Sequence, residues 1–282
     1  MIKLRPDHYS KAARLLDEVP FNNLFARVVI ENKVNGQVLV DDPEHPTVCL
    51  IIHKYGMALL CGNDRNESFN NGLANFLSSG PSSEYSAKWL LASPDEWEHK
   101  LASLLVEQLL PADKLDAPEM RPGNHTHFLK TERINYRFHS QLCADHTKIP
   151  DGFTLKKIDA ELYHSIQGSV VPQYFWNTAE DFLANGIGFA LLYDDQIVST
   201  SFASFIVGDK LELGVETTET FRKRGYSIYA ASALVAYCLE NGYEPVWACR
   251  RGNIGSSRLA ESLGFVPASY HPYYCILSPT SK

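Results

Sequence analysis

The sequence has little of what marks several large classes of protein. Its six cysteines include no C-x-x-C pair, and no stretch approaches the roughly 20 apolar residues that a membrane-spanning helix needs. Its first residues also lack the apolar run of a secretory signal peptide. We therefore expect a cytoplasmic protein whose cysteines are reduced and lie in the core.

Positive charge is also scarce. Lys and Arg number 26 against 33 Asp and Glu, which gives a formal net charge of −7 at pH 7. Such a surface repels nucleic acid and anionic membranes, so neither is an expected partner. A cationic partner fits this charge. A small anionic ligand can still bind where local hydrogen-bond donors and cations outweigh the distant negative charge.

The chain is longer than most single domains. Its 282 residues, of which 45% are hydrophobic and 21% charged, are typical of a soluble globular protein with two cores. We predict an α/β (α+β) fold in two domains: a smaller N-terminal α/β domain at 1–145 and a second domain at 146–282.

The N-terminal part predicts a mixed α/β unit. Three β-rich runs, at 37–40, 47–52 and 57–61, are separated by turn residues and predict an antiparallel meander. A helix is expected to start with Ser93 as its N-cap and to end before Pro111. Few apolar residues follow from 111 to 124, which predicts a linker.

The second domain has a more informative order of elements. A strand at 153–158 precedes a helix capped by Asp159, and three antiparallel strands follow at 188–193, 196–202 and 210–216. Next we expect a helix at 227–240, a strand at 245–249, a helix at 256–263 and a strand at 273–277.

One turn in this domain has the features of an anion site. It lies between a strand and a helix and consists of Arg222, Lys223, Arg224, Gly225, Tyr226 and Ser227. Unpaired amides and the dipole at a helix N-terminus attract a pyrophosphate, and Gly225 permits a backbone conformation that other residues rarely adopt. The alternative interpretation is a basic surface turn that starts an ordinary helix.

The order of elements around this turn resembles the GNAT acyltransferase superfamily from Phe153 to the C-terminus. The family's pyrophosphate motif, Q/R-x-x-G-x-G/A, matches 222–227 with Ser227 in the last small position. A second motif matches Asn253 and the helix that ends at Leu263, Gly264 and Phe265. The strings 213–217 and 245–247 are similar to a bacterial branch that includes zwittermicin-resistance acetyltransferases.

The resemblance implies a mixed sheet that splays between the strand ending near Thr217 and the strand 246–249. It also implies acetyl-CoA as cosubstrate, with the pantetheine arm along the first of these strands and no metal. The histidines near 125–146 have no Cys or carboxylate recurring at the spacing of metal ligands, which agrees with a site that holds no metal. The implied coenzyme-binding residues are Val215, Thr217, Arg222, Lys223, Arg224, Gly225, Tyr226, Ser227, Asn253 and Ser256.

Two carboxylates lie beside the expected thioester. Glu212 and Glu216 share one face of their strand because strand side chains alternate. We predict Glu216, before Glu212, as the general base, with solvent exposure or structural pairing as the alternative. Many family members have a tyrosine acid where this chain has Ala260, so Tyr270, Tyr273 or Ser256 are candidate replacements, with Tyr270 as the named catalytic candidate.

These features predict an N-acetyltransferase for a primary amine of a small molecule, in which the amine attacks the acetyl-CoA thioester directly. The alternatives are a non-catalytic acyl-CoA-binding module, which the alanine at 260 suggests, and a protein or peptide N-acyltransferase. The N-terminal domain is a candidate degenerate relative of the second. A homodimer is one alternative for the assembly.

Overall fold

A computed structural model of the chain describes residues 1–78, 85–110, 126–142 and 148–277. They form two compact units: unit 1 is Met1–Arg133 with the C-terminal segment that begins at Tyr270, and unit 2 is Ile134–Ser269. The expected boundary between residues 145 and 146 lies outside the described residues. The units divide elsewhere, within two strands, His127–Phe138 and Phe265–Leu277, each of which begins in one unit and ends in the other.

Unit 1 is an α/β unit. Its strands are β1 (Ile2–Lys3), β2 (Gly36–Val40), β3 (Val48–His53), β4 (Met57–Gly62), β5 (Trp89–Ser93), β6 (Leu109–Leu110) and the first part of β7 (His127–Phe138). Its helices are α1 (Ala13–Asp17), α2 (Leu24–Ile30), α3 (Glu67–Ser78) and α4 (Glu96–Leu104), after a 3-10 helix at Pro6–Ala12. Strands β1 to β4 are antiparallel, which confirms the predicted meander, and β5 is parallel to β4.

Two local predictions for unit 1 need correction. Ser93 is not a helix N-cap: it is the buried last residue of β5, because parallel pairing with β4 extends to Cys61 opposite Ser93. Helix α4 therefore begins at Glu96 and ends at Leu104, before the short strand β6.

Helix α2 was not predicted because six of its seven residues are buried, which removes the polar face that a helical pattern needs. The predicted linker at 111–124 lies outside the described residues.

Unit 2 follows the predicted order of elements. After the end of β7 come β8 (Phe153–Lys157), α5 (Ala160–Ser165), α6 (Pro172–Phe175), α7 (Ala179–Asn185), β9 (Gly188–Tyr193), β10 (Gln196–Val207) and β11 (Lys210–Thr217). Then follow α8 (Ser227–Glu240), β12 (Glu244–Arg250), α9 (Ile254–Ser262) and the first part of β13 (Phe265–Leu277). The sheet order is β7-β12-β11-β10-β9-β8.

Local chemistry explains why these elements start and stop where they do. The Asp159 carboxylate accepts a hydrogen bond of 2.9 Å from the Leu162 amide and caps α5 as predicted. Asp194 and Asp195 have φ angles of 47° and 60°, which suit the tight turn between β9 and β10. Gly242, with φ 75°, follows the end of α8.

The core of unit 2 lies under α8. Ala231 and Leu234 of that helix pack with Leu211 and Leu213 of β11 in one buried cluster. The other face of β11, which carries Glu212 and Glu216, is therefore turned away from α8. In this way packing of the apolar face fixes which face of the strand presents its carboxylates.

Two expectations from composition can be compared with the described residues. Five cysteines lie there, and all five are free and buried, while Cys143 falls outside. No helix in the described part of the chain is long and apolar enough to cross a membrane.

Candidate active site

Strands β11 and β12 form a fork in the sheet of unit 2. They pair in parallel at Lys210–Glu244, Leu211–Pro245 and Glu212–Val246. Both strands continue, to Thr217 and Arg250, but no further pairing joins them along those described residues. The fork leaves backbone donors and acceptors of β11 available to an extended ligand that adds as a strand.

The turn 222–227 lies between the end of β11 and the start of α8. Gly225 has φ 81° and Lys223 has φ 62°, so two residues of the turn adopt the left-handed conformation. A Cβ atom at Gly225 would meet nothing within 4 Å, so the position requires glycine for its backbone angle alone. Arg222, Lys223 and Arg224 are exposed.

The N-terminus of α8 is open. The residue before it, Tyr226, makes no side-chain capping bond, and the first turn contains no acidic residue. The positive end of the helix dipole therefore has no negative side chain within its own first turn. Together with the three cations of the turn, this arrangement can hold a pyrophosphate.

Aromatic contacts hold the turn in place. The ring of Tyr226 packs against Phe153 of β8 with centroids 4.8 Å apart and against Phe221 at 6.2 Å. Phe153 in turn packs against Tyr193 at 4.9 Å. The side chain of Tyr226, predicted as coenzyme-binding, thus supports the turn, a contact that the sequence did not indicate because Phe153 is distant along the chain.

The register of β10 on β11 places the two predicted carboxylates on one face. Glu216 lies opposite Thr200, and Glu212 lies opposite Phe205 after a bulge in β10. Glu212 is 4% exposed and is the last residue of β11 that pairs with β12, so it lies where the fork begins. The Glu216 side chain is 10% exposed and accepts a hydrogen bond of 3.2 Å from Arg222.

Val215 and Thr217 lie on the opposite face of β11 from these carboxylates. Val215 packs against the core under α8, and the Thr217 hydroxyl hydrogen-bonds with Ser199 at 3.1 Å. Their side chains are thus used by the protein itself. Their backbone groups beside the fork, and not their side chains, are therefore the groups open to the coenzyme-binding role that the family resemblance implies.

Asn253 and Ser256 shape the start of α9. The Asn253 side-chain oxygen accepts from the Ser256 amide at 3.2 Å, and the Ser256 hydroxyl accepts from the Trp247 indole at 3.1 Å. These bonds leave the Asn253 amide NH₂ and the Ser256 hydroxyl hydrogen as donors for a ligand.

The candidates for a proton donor fall in different places. Ala260 is fully buried in the core of unit 2. Tyr270 is half exposed and belongs to unit 1, as does Tyr273, whose pKa burial raises above its usual range. Both tyrosines thus belong to unit 1, whereas the fork and the turn belong to unit 2.

A different tyrosine lies in unit 2. The Tyr136 hydroxyl on β7 accepts from the Cys249 thiol at 3.8 Å, next to the diverging part of β12. It also hydrogen-bonds with Ser257 of α9, and burial, the largest influence, raises its pKa to about 12. Sequence reasoning missed Tyr136 because nothing local in the strand 134–138 points to chemistry.

The described residues contain no group of three or more His, Cys, Asp or Glu side chains placed to hold a metal ion.

Known proteins resemble this chain in sequence and in fold. The family model described as GNAT acetyltransferase matches residues 14–274, which extends the resemblance well into unit 1. An uncharacterized N-acetyltransferase of Bacillus subtilis, YdfB, is 26% identical over 274 residues, which are 96% of this chain and 97% of the relative.

Two solved structures share the fold. A GCN5-related N-acetyltransferase-like protein from Streptococcus suis has a TM-score of 0.67 at 21% identity and covers 96% of this chain and 98% of its own. A tandem GNAT protein from the clavulanic acid biosynthesis pathway has a TM-score of 0.57 at 10% identity, with coverage of 98% and 96%. Because the family model matches nearly the whole chain, the chain belongs to the GNAT acetyltransferase family.

Proposed function

We propose that the protein transfers an acetyl group from acetyl-CoA to a primary amine of a small molecule, and that the reaction takes place at the fork of unit 2. The observation that carries the proposal is the combination of an open α8 N-terminus, a glycine-containing cationic turn and an unpaired stretch of β11 in one unit.

The residues present fit the coenzyme. Backbone amides of the turn and the side chains of Arg222, Lys223 and Arg224 would hold the pyrophosphate. Backbone groups of Val215 and Thr217 would hold the pantetheine arm beside the fork. The coenzyme supplies the acetyl group as a thioester. Its thiolate is an acceptable leaving group because a thiol has a reference pKa near 8.5.

The acceptor amine must lose a proton before it attacks, and we place the base on Glu212. It is a buried carboxylate at the start of the fork, at the last residue of β11 that pairs with β12. Glu216, our first choice from the sequence, accepts hydrogen bonds from its neighbours. A buried carboxylate also attracts an ammonium ion. Tyr136, whose hydroxyl contacts Cys249 of β12, replaces Tyr270 as the candidate proton donor.

A small polar acceptor is supported by the face that Glu212 shares. Thr200 lies on this face, is 1% exposed, and its hydroxyl has no hydrogen-bond partner among the described residues. A buried hydroxyl is normally hydrogen-bonded, so a polar group of a ligand fits here. The similarity of 213–217 to the zwittermicin-resistance branch and the net charge of −7 also favour a cationic small molecule.

We further propose that unit 1 is a degenerate copy of unit 2. Both contain three antiparallel strands, a helix, a strand parallel to the third of them, and a second helix, in the same order. The likeness in fold to a protein described as a tandem GNAT supports this proposal.

The experiment is a coenzyme A release assay with acetyl-CoA and a panel of amines that includes small polyamines, amino sugars, amino acids and short peptides. We expect release with a small amine, and a fall of roughly 10²–10⁴-fold in turnover for Glu212→Gln at unchanged coenzyme affinity, as for loss of a general base. Release only with peptides would contradict the small-molecule acceptor, and full activity of Glu212→Gln would contradict its role.

A further inference from the structure

The carboxylate of Glu216 is enclosed by a segment from another part of unit 2. Its Oε2 atom accepts from the Ser169 amide at 2.7 Å, from the Ser169 hydroxyl at 2.9 Å and from the Val170 amide at 2.9 Å. Ser169 and Val170 belong to the connection between α5 and α6. One carboxylate oxygen thus holds the middle of that connection.

The second oxygen of Glu216 faces the coenzyme-side turn. Its Oε1 atom accepts from the Thr217 amide at 3.2 Å and from Arg222 Nη2 at 3.2 Å. Arg222 Nε also donates to the Thr217 carbonyl at 3.0 Å, which holds the guanidinium in this position. Arg222 is the first residue of the turn 222–227, so the two oxygens of one side chain bind the two segments separately.

This arrangement leaves Glu216 little capacity for proton transfer. A carboxylate offers about four lone-pair sites, and the two oxygens of Glu216 accept five hydrogen bonds from N–H and O–H groups. A group that already accepts from an arginine and three amides has no free site for the proton of an incoming amine.

The backbone of the connecting segment is shaped to the carboxylate. Gly168 has φ +145°, and a Cβ atom built there would lie 2.6 Å from Cγ and 2.7 Å from Cδ of Glu216. Only glycine allows the chain to approach this closely. This close approach brings the amides of Ser169 and Val170 within hydrogen-bonding distance of Oε2. The glycine and the hydrogen bonds to the carboxylate therefore depend on each other.

We propose that Glu216 is a positioning residue that clasps the segment 168–170 to the start of the turn 222–227. The Glu216 clasp consists of Gly168, Ser169, Val170, Glu216 and Arg222. A ligand that orders the turn through Arg222 also stabilises the segment 168–170, and by linkage a ligand that orders this segment strengthens binding at the turn. The identity of the ligand at the turn rests on the proposed function, whereas the clasp itself does not.

The test is hydrogen exchange measured by mass spectrometry on peptides that cover 166–171, with and without coenzyme A. The variant is Glu216→Gln. Its side-chain NH₂ group cannot accept hydrogen bonds, and it would face N–H and O–H donors that one of the two carboxylate oxygens binds in the parent protein. The matched control is Glu219→Gln, which removes the same charge in the nearby exposed 3-10 helix at Glu219–Phe221. Ser169→Ala removes one of the three bonds to Oε2 and covers the case in which Glu216→Gln does not fold.

We expect the segment to exchange at least about tenfold faster in Glu216→Gln, to change little in Glu219→Gln, and to be intermediate in Ser169→Ala. Coenzyme A should slow exchange in the parent protein and not in Glu216→Gln. Unchanged exchange in Glu216→Gln, or in Ser169→Ala if the former is unfolded, overturns the clasp. A parent protein that binds coenzyme A without slower exchange at 166–171 overturns the coupling.

A failure of the proposed function is distinguishable from either result. If the parent protein binds no coenzyme A in a titration, the ligand assignment is wrong, but faster exchange in Glu216→Gln without ligand still supports the clasp. If coenzyme A binds and exchange does not respond to Glu216→Gln, the function stands and the clasp is wrong.

Discussion

The two units place the same elements in the same order, yet their corresponding helix N-termini differ. In unit 1 the connection from β4 to α3 is short, residues 63–66, and the Asn66 side chain accepts from the Phe69 amide at 3.1 Å. Glu67 puts a negative charge in the first turn of α3. In unit 2 the connection is longer, residues 218–226, and the N-terminus of α8 has neither feature. A helix end that carries its own cap and carboxylate has little left for an anion.

The parallel strand pairs differ in the same sense. In unit 1, β4 and β5 stay paired to Cys61–Ser93, one residue before β4 ends. The Trp97 indole then donates to the Gly62 carbonyl at 2.9 Å and closes that end. In unit 2 the equivalent pairing stops at Glu212, and β11 continues to Thr217. The same topology thus yields a closed strand pair in one unit and a fork in the other, so the open strand edge depends on these local details more than on the fold.

The largest effect is expected at the turn 222–227 of unit 2. Gly225→Val forces a β-branched residue into φ 81°, and we expect coenzyme A binding to be lost in a calorimetric titration. The matched control is Gly208→Val, which has a similar angle of 57° and equally open surroundings in the β10–β11 turn. It should bind normally. Equal losses in both variants would mean that strain on unit 2, and not the turn, explains the result.

A smaller effect is expected from opening the closed end of unit 1. Trp97 is fully buried, and Trp97→Ala should lower the free energy of unfolding by about 3–5 kcal/mol, measured by denaturant titration. Coenzyme affinity should not change, because α3, the helix of unit 1 that corresponds to α8, carries its own cap and a carboxylate in its first turn. Trp97→Phe, which keeps a ring but removes the bond to Gly62, is the control. Weaker coenzyme binding in Trp97→Ala would contradict the assignment of the site to unit 2 alone.

A further effect concerns acid stability, where the ends of corresponding strands differ: β3 ends in His53 and β10 in Val207. Burial lowers the pKa of His53 from 6.5 to about 3. The unfolded chain therefore binds a proton that the native state does not. Stability present above pH 6.5 is lost as the pH falls towards 3, by up to about 1.4 kcal/mol per pH unit.

Unfolding of His53→Gln in urea at several values between pH 7 and pH 4 should show a weaker dependence on pH than the parent protein. His99→Gln, a change at an exposed histidine of the same unit, should keep the parent dependence. Parallel curves for the parent and His53→Gln would mean that the imidazole does not limit acid stability.

The sequence predicted what depends on nearby residues. The turn 222–227, helix α8 and the cap at Asp159 are encoded within a few residues, so the pattern was sufficient. The hydrogen bonds that the Glu216 carboxylate accepts from Ser169 and Val170 were not predictable, because these residues lie 47 and 46 residues away along the chain. The strand position of Ser93 was missed for a related reason, since pairing with β4 overrides a local capping pattern.

The central claim is that only unit 2 binds the coenzyme, and the stoichiometry of coenzyme A binding to the full chain tests it most directly. We expect one molecule per chain in an isothermal titration, and none in Gly225→Val when Gly208→Val still binds one. Two molecules per chain, or one that persists in Gly225→Val, would contradict the claim.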